Sequence, residues 1–260
     1  MPKVQAKESL PEPVVGVRRL PDKSGYLCTP VGGETLTLPG VTGRLDWIGG
    51  DKTNAMKWWA SNGASHYFHD AALAENFVGN EDRARIVYEE ARRWHSRESA
   101  RTAAFGTHVH LYAELTMKGQ RPNMTRDFPK ETHDCIRAFK AWWKWRSYEV
   151  LSAELAVANI EAGYAGTFDF LARDPKTGML VLGDFKTAKA IRLSNAVQLA
   201  ALNEALFKTY GIRADALHVV RIGREDAEVE ERAVADEARS LSIFRAAMDI
   251  EAGLKEDLFQ

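Results

Sequence analysis

A chain of 260 residues that is 45% apolar and 27% charged is long enough to bury a sizeable core and has a globular composition. Its net charge of −1 excludes a global electrostatic pull towards nucleic acid or membrane, so any phosphate-binding surface has to be a local patch. Two cysteines, Cys28 and Cys135, are too few for a disulfide framework; with no secretory signal and no run of transmembrane length, the reading is a soluble cytoplasmic protein without membrane contact.

Residues 1–40 hold six of the nine prolines. Each proline removes a backbone donor and fixes φ, which predicts an extended arm with one hairpin around Gly32-Gly33. Arg18 and Arg19 on this arm either touch phosphate or stay solvated. From Val41 to about residue 148 the pattern is helical: a short helix, then one from about Lys52 in which Trp58 and Trp59 serve packing. A long helical region follows, roughly Ala64 to Lys118, with breaks expected near Gly79-Asn80 and Phe105-Gly106. Arg93, Arg97 and Arg101 recur every four residues, either as a DNA-binding stripe or as a solvated face, the commoner fate of a charge run. After the second break Thr107 can cap a helix in which His110 and Glu114 share a face and His108 lies off it. A further helix is expected over Arg126 to Trp145. Its Trp142, Trp143 and Trp145 either stack bases or pack against a sheet.

The period then switches to two. In LSAELAV, Leu151 to Val157, the odd-numbered residues take one face and Ser152, Glu154 and Ala156 the other. In GTFDFLA, Phe168 and Phe170 are expected to point one way, with Thr167, Asp169 and Leu171 pointing the other. Asp174 to Gly178 is a turn signal. The next strand carries Asp184 and Lys186 on one face and Phe185 on the opposite one. An amphipathic helix ended by Gly211 follows, then strands at Ala216 to Ile222 and Val229 to Val234, and a helix from about Asp236 to Gly253.

A hairpin joining the second and third strands puts Asp169 and Asp184 side by side, with Glu154 on the first strand. Two carboxylates that close repel unless a cation lies between them or one is protonated. Oxygen donors suit magnesium or manganese, and His110 could add a nitrogen; zinc fits less well. Lys186 beside such a site could orient a water and stabilise charge growing on a phosphate. D-x-K alone is common by chance. The order is more restrictive: H-x-x-x-E on a helix, an acid on a strand, a hairpin, D-x-K-T, then a helix.

This order resembles the RecB-like branch of the PD-(D/E)XK nuclease superfamily, notably phage exonucleases and the mitochondrial genome maintenance exonuclease. The residues carrying the resemblance are Pro39 to Thr42, Trp59-Ala60, Gly106 to Glu114, Glu154 to Val157, Gly166 to Asp169, Asp184 to Thr187, and Gln198. It implies a restriction-endonuclease-like α/β core, a central mixed sheet flanked by helices, with a helical N-terminal elaboration. Residues 41–260 would then form one nuclease domain, with its catalytic sheet over 149–222 and a strand and helix over 223–260. The resemblance implies metal ligands at His110, Asp169, Asp184 and the Phe185 backbone carbonyl. It implies catalytic roles for Lys186, Asp184, Asp169 and Gln198, with Glu114 and Glu154 in support. One or two Mg²⁺ or Mn²⁺ ions are implied, and no iron–sulphur cluster, since that needs four cysteines. The expected activity is hydrolysis at linear DNA ends in phage or bacterial recombination or repair, acting on single strands or free ends and accompanied by a strand-annealing or recombination protein. A structure-specific endonuclease and an inactive DNA-binding module are the alternatives. One departure stands out: where family members often carry a tyrosine four residues after the glutamine, this chain has Leu202, so that role is lost or moved to Tyr210 or Tyr164.

Overall fold

The computed structural model describes residues 9–45, 50–75 and 80–253. Its elements are β1 (Val15–Arg19), β2 (Tyr26–Pro30), β3 (Leu36–Leu38), α1 (Val41–Arg44), α2 (Gly50–Glu75), α3 (Glu81–Arg92), α4 (Trp94–Met117), α5 (Met124–Asp127), a 3-10 turn (Lys130–Thr132), α6 (His133–Arg146), β4 (Glu149–Asn159), β5 (Tyr164–Arg173), β6 (Leu180–Lys186), α7 (Leu193–Tyr210), β7 (Ala216–Ile222), β8 (Val229–Ala233) and α8 (Glu237–Gly253). The chain divides into two compact units, Met1–Ile48 with His108–Gln260, and Gly49–Thr107; the boundary falls within α4. The helical stretch expected to belong to one domain over 41–260 is therefore divided. No helix among the described residues is long and apolar enough to cross a membrane.

The larger unit is α/β. Its five-stranded mixed sheet runs in the order β4-β5-β6-β7-β8, antiparallel except for the parallel pair β6–β7. A parallel pair needs a crossover, and α7 supplies it. α7 lies between the sheet and α8, so it is buried almost all round; its alanines at 200, 201 and 205 let it approach closely. Gly211 ends it in the left-handed conformation at φ 72°. The other face of the sheet carries an aromatic cluster. Phe185 lies 5.3 Å from Phe170, 5.5 Å from Phe139 and 5.9 Å from Trp142, ring centre to ring centre. Trp142 and Trp143 thus serve packing, while Trp145 is 60% exposed.

Several expectations need correction. The first forty residues are not an arm with one hairpin. From Val15 they form a three-stranded antiparallel sheet whose Val15, Tyr26, Cys28 and Leu38 pack on Ala158 and Ala165; residues 1–8 lie outside the described range. The prolines fall before, between and at the ends of these strands, where a missing donor costs nothing. No break occurs at Phe105-Gly106: α4 runs through it. Thr107 donates to the Ala103 carbonyl one turn back rather than capping. Glycine inside a helix costs only about 1 kcal/mol relative to alanine, which neighbouring turns absorb. Gly79 lies outside the described residues, but Asn80 caps α3 by accepting from the Arg83 N–H. The helix expected over Arg126 to Trp145 is interrupted at Phe128-Pro129, because proline cannot donate to the preceding turn. In the smaller unit Trp59 packs on Trp94, 4.8 Å between rings, where Gly63 makes room, but Trp58 is 70% exposed.

A polar knot fastens α6 to the sheet. The Glu231 carboxylate on β8 accepts from the Trp142 indole at 3.0 Å, from the Arg146 guanidinium, and from the Tyr148 hydroxyl at 3.2 Å, with the His218 ring 2.5 Å away. Burial would raise this carboxyl, but His218, Arg146 and Trp142 hold it down at about 2, against an ordinary 4.5. A depressed acid contributes stability that is complete above its unfolded value and is lost as pH falls towards the folded one. Glu231→Gln is therefore expected to flatten the fall in stability between about pH 4.5 and 2, read by urea melts at stepped pH. An unaltered acid limb would show that the knot does not couple to folding. Gly183, paired with Phe170, has no room for a methyl group: a Cβ there would lie 2.0 Å from the Phe170 ring. Gly183→Ala should lower unfolding stability by about 1–3 kcal/mol, as overpacked cores do. An unchanged urea midpoint would contradict that close approach.

Candidate functional site

The site begins where two strands part. β5 and β6 pair from Arg173↔Leu180 to Phe170↔Gly183, and the ladder stops there. Beyond it, the Phe185 N–H donates to the Asp169 carboxylate instead of to a backbone carbonyl. On β4, Glu154 falls between the pairs Ala153↔Phe170 and Leu155↔Phe168, opposite Asp169, and its φ is +53°. A left-handed non-glycine residue costs about 1–2 kcal/mol. This backbone reversal accompanies a switch of facing that corrects the strict alternation expected for GTFDFLA. Phe168 joins the core cluster of Leu171 and Leu202, whereas Phe170 joins the aromatic cluster on the other face. Asp169 and Glu154 occupy the point of the switch.

α4 brings His110 to this point, its Nδ1 3.1 Å from an Asp169 carboxylate oxygen. One ligating atom each of His110, Glu154 and Asp169 lies within 4.8 Å of the others. All three, with Gln198 of α7, line a cavity of about 380 Å³. Asp184 and Lys186 follow on β6 as an ion pair on one face. Phe185 between them turns its ring into the aromatic cluster, so its backbone is what it offers the site. Glu114 is held one turn along α4 by Lys118 at 2.5 Å, outside the group of converging donors.

Burying like charges together sets the electrostatics. Burial pushes the Glu154 carboxyl up, and the adjacent Asp169 and then Glu114 push it further, to about 8. Burial would raise Asp169 too, but His110, Lys186 and the Phe185 N–H hold it down at about 2. Burial opposes the charged form of His110, yet Asp169 and Asp184 outweigh it and lift the imidazole to about 9. Asp184 is raised by burial and by Asp169 despite Lys186. Lys186 is raised, since Asp184 and Asp169 outweigh its own burial. Glu154 thus takes a proton to relieve the repulsion; a divalent cation would relieve it as well. The donors fit a hard ion: one imidazole nitrogen, carboxylate oxygens and no thiolate, both cysteines being buried elsewhere.

No family model matches the chain, and no curated protein matches it. Among solved structures, one described as "Crystal structure of SSO0001" matches 47% of this chain and 58% of its own, at 13% identity and a TM-score of 0.31. A likeness that slight carries no argument about fold or activity.

The structure thus gathers His110, Glu154, Asp169, Asp184, Lys186 and Gln198. Arg93 and Arg97 line one surface hollow together with Arg85, and Arg101 is not among its lining residues. Arg93 caps α3, whereas Arg97 and Arg101 sit on α4. Arg97 donates to the Glu90 carbonyl and lies 5.2 Å over the Tyr67 ring, and Arg101 pairs with Glu98. Sequence reasoning missed Tyr26, Lys23 and Thr167 on the cavity wall. Only the polar position of Thr167 beside Asp169 offered a signal.

Leu202 is fully buried, and its Cδ2 lies 2.5 Å from where a Gly166 Cβ would be. Glycine at 166 and leucine at 202 are therefore one packing solution. Tyr164 does not take over a tyrosine's role at the cavity: it is 1% exposed, and its hydroxyl donates to the Ala201 carbonyl and Glu204. Tyr26 is the tyrosine that reaches the cavity wall. Leu202→Tyr should destabilise the fold by about 1–3 kcal/mol through overpacking, measured by urea unfolding. A neutral or stabilising result would show that the wall is loose enough to accept a phenol.

Proposed function

We propose that this chain is a divalent-metal-dependent deoxyribonuclease with a RecB-like PD-(D/E)XK core, hydrolysing phosphodiester bonds at linear DNA ends. The observation that carries the reading is the convergence of His110, Glu154 and Asp169 beside the Asp184–Lys186 pair. These are the positions at which the sequence motifs lead one to look. Magnesium or manganese, one ion or two, would be held by His110, Glu154 and Asp169, with Asp184 and the Phe185 carbonyl as further ligands. When bound it would supply Lewis acidity towards a phosphate oxygen and lower the pKa of a water.

The side chains do the remaining work. Lys186 carries its ammonium beside the acids and would offset charge growing on the phosphate. Asp184 holds that ammonium protonated in the free protein. Asp169 fixes the His110 ring and, through the Phe185 N–H, the β6 backbone that bears Asp184 and Lys186. The Gln198 amide, on the cavity wall, would orient substrate with a donor and an acceptor. The aromatic cluster behind Phe185 leaves β6 little freedom, which keeps the charged groups in register. By analogy of motifs, the setting is phage or bacterial recombination or repair, alongside a strand-annealing or recombination protein.

In Mg²⁺, end-labelled linear single strands should be degraded and circular ones spared. Cutting of circles at an equal rate would replace the exonuclease with an endonuclease. Lys186→Ala should reduce hydrolysis ~100-fold or more while the fold is retained, as read by circular dichroism. Chelation by EDTA should stop the reaction and Mn²⁺ restore it, and turnover in the chelator would remove the metal mechanism.

A further inference from the structure

The three-stranded N-terminal sheet sits against the site and forms part of its cavity. The turn between β1 and β2 brings Lys23 to the cavity wall, and the end of β1 brings Arg19. The same cavity is also lined by His110, Glu154 and Asp169. The sheet is fixed there by three contacts. The Tyr26 hydroxyl lies 3.1 Å from the Thr167 hydroxyl, and Thr167 is two residues from Asp169 on β5. The Ala165 N–H donates to the Pro39 carbonyl at 3.1 Å. Cys28 and Leu38 are buried against Ala158 and Ala165.

Both cations are spare. Neither the Arg19 nor the Lys23 side chain makes an ion pair or a hydrogen bond among the described residues. Each is exposed, and Arg19 has only the face of the Tyr26 ring, 6.0 Å from its guanidinium carbon. That ring favours a cation over its face and limits where the guanidinium goes. Lys23 stands in the left-handed region at φ 62°, inside a turn closed by its N–H to the Leu20 carbonyl and by Ser24 donating to Asp22. Glycine would hold that backbone at no steric cost. A lysine there is thus not required by the turn.

Cations that share a cavity with carboxylates usually pair with them, but among the described residues these two do not. The arrangement suits a ligand that is itself anionic and is gripped between a cationic rim and a metal-holding floor. A nucleic-acid phosphate has that chemistry. The whole chain is net −1, so its attraction for a polyanion has to come from such a local patch.

We propose that Arg19 and Lys23 form the phosphate-holding rim of the site, gripping the DNA strand next to the bond that is cut. This rests on the nuclease reading above for the identity of the ligand, and it gives the N-terminal sheet a direct part in substrate binding. The test is binding by the full chain to short fluorescein-labelled single-stranded DNA, with Ca²⁺ in place of Mg²⁺, followed by anisotropy across a salt series. Arg19→Ala combined with Lys23→Gly should weaken binding ~10-fold or more and make the log–log salt slope shallower by about 0.7 for each phosphate that the protein no longer neutralises. Lys23→Gly alone should leave the melting temperature unchanged or raised, since it relieves the left-handed strain, and still weaken binding.

Strands with and without a 5′-phosphate separate the two possible sources of the ligand. An equal loss of affinity on both places a chain phosphate at the rim, and a loss confined to the phosphorylated strand places an end phosphate there; each supports the rim. Unchanged affinity and salt slope in the double variant overturn it. Hydrolysis by the unaltered protein is scored separately. If it cuts DNA while the double variant binds normally, the rim fails and the nuclease stands. If it does not cut but binds through Arg19 and Lys23, the nuclease fails and the rim stands.

Discussion

The Asp169 carboxylate accepts from the Phe185 N–H on one side and lies against His110 on the other, and the rest of the site depends on that double engagement. It replaces the ladder bond that β5 and β6 would otherwise form, so the strands can part without leaving a buried donor unmet. The parted strands make room for a helix-borne imidazole. Burial raises the neighbouring Glu154 carboxyl, and the Asp169 carboxylate, held low, raises it further. A buried cluster of this kind is costly unless its charges are paired, as Asp169 is with His110 and Asp184 with Lys186.

Two packing devices hold that point still. Behind it, Phe185 anchors β6 in the aromatic cluster, and Gly183 gives Phe170 the space to lie across the strand. In front, Gly166 receives Leu202 from α7. In each case a glycine next to a functional strand position is answered by one large side chain. The site is therefore supported from both faces of the sheet, while its own residues carry the strain at Glu154. Local backbone strain of this kind persists only where the surrounding packing compensates for it.

The N-terminal sheet changes the picture of the cavity. It adds Tyr26 and the exposed Arg19 and Lys23 to the lining of the cavity that His110, Glu154 and Asp169 also line. Acid floor and basic rim come from segments far apart in sequence, joined through the Tyr26–Thr167 contact.

By itself the sequence determined the strands and helices from residue 149 onward, the Asp174 to Gly178 turn, the Gly211 stop, and the placing of Asp184 and Lys186 opposite Phe185. These follow from local rules: alternation, left-handed glycine, and the fixed φ of proline. Only the tertiary structure decided that α4 runs on past Gly106 and that the proline-rich start folds as a sheet. A glycine or proline states what a backbone is allowed to do, whereas burial against a distant surface decides what it does. The same limit applied to the acids. Spacing already suggested that Asp169, Glu154 and His110 share one site, but the left-handed backbone at Glu154 is something no two-residue period contains.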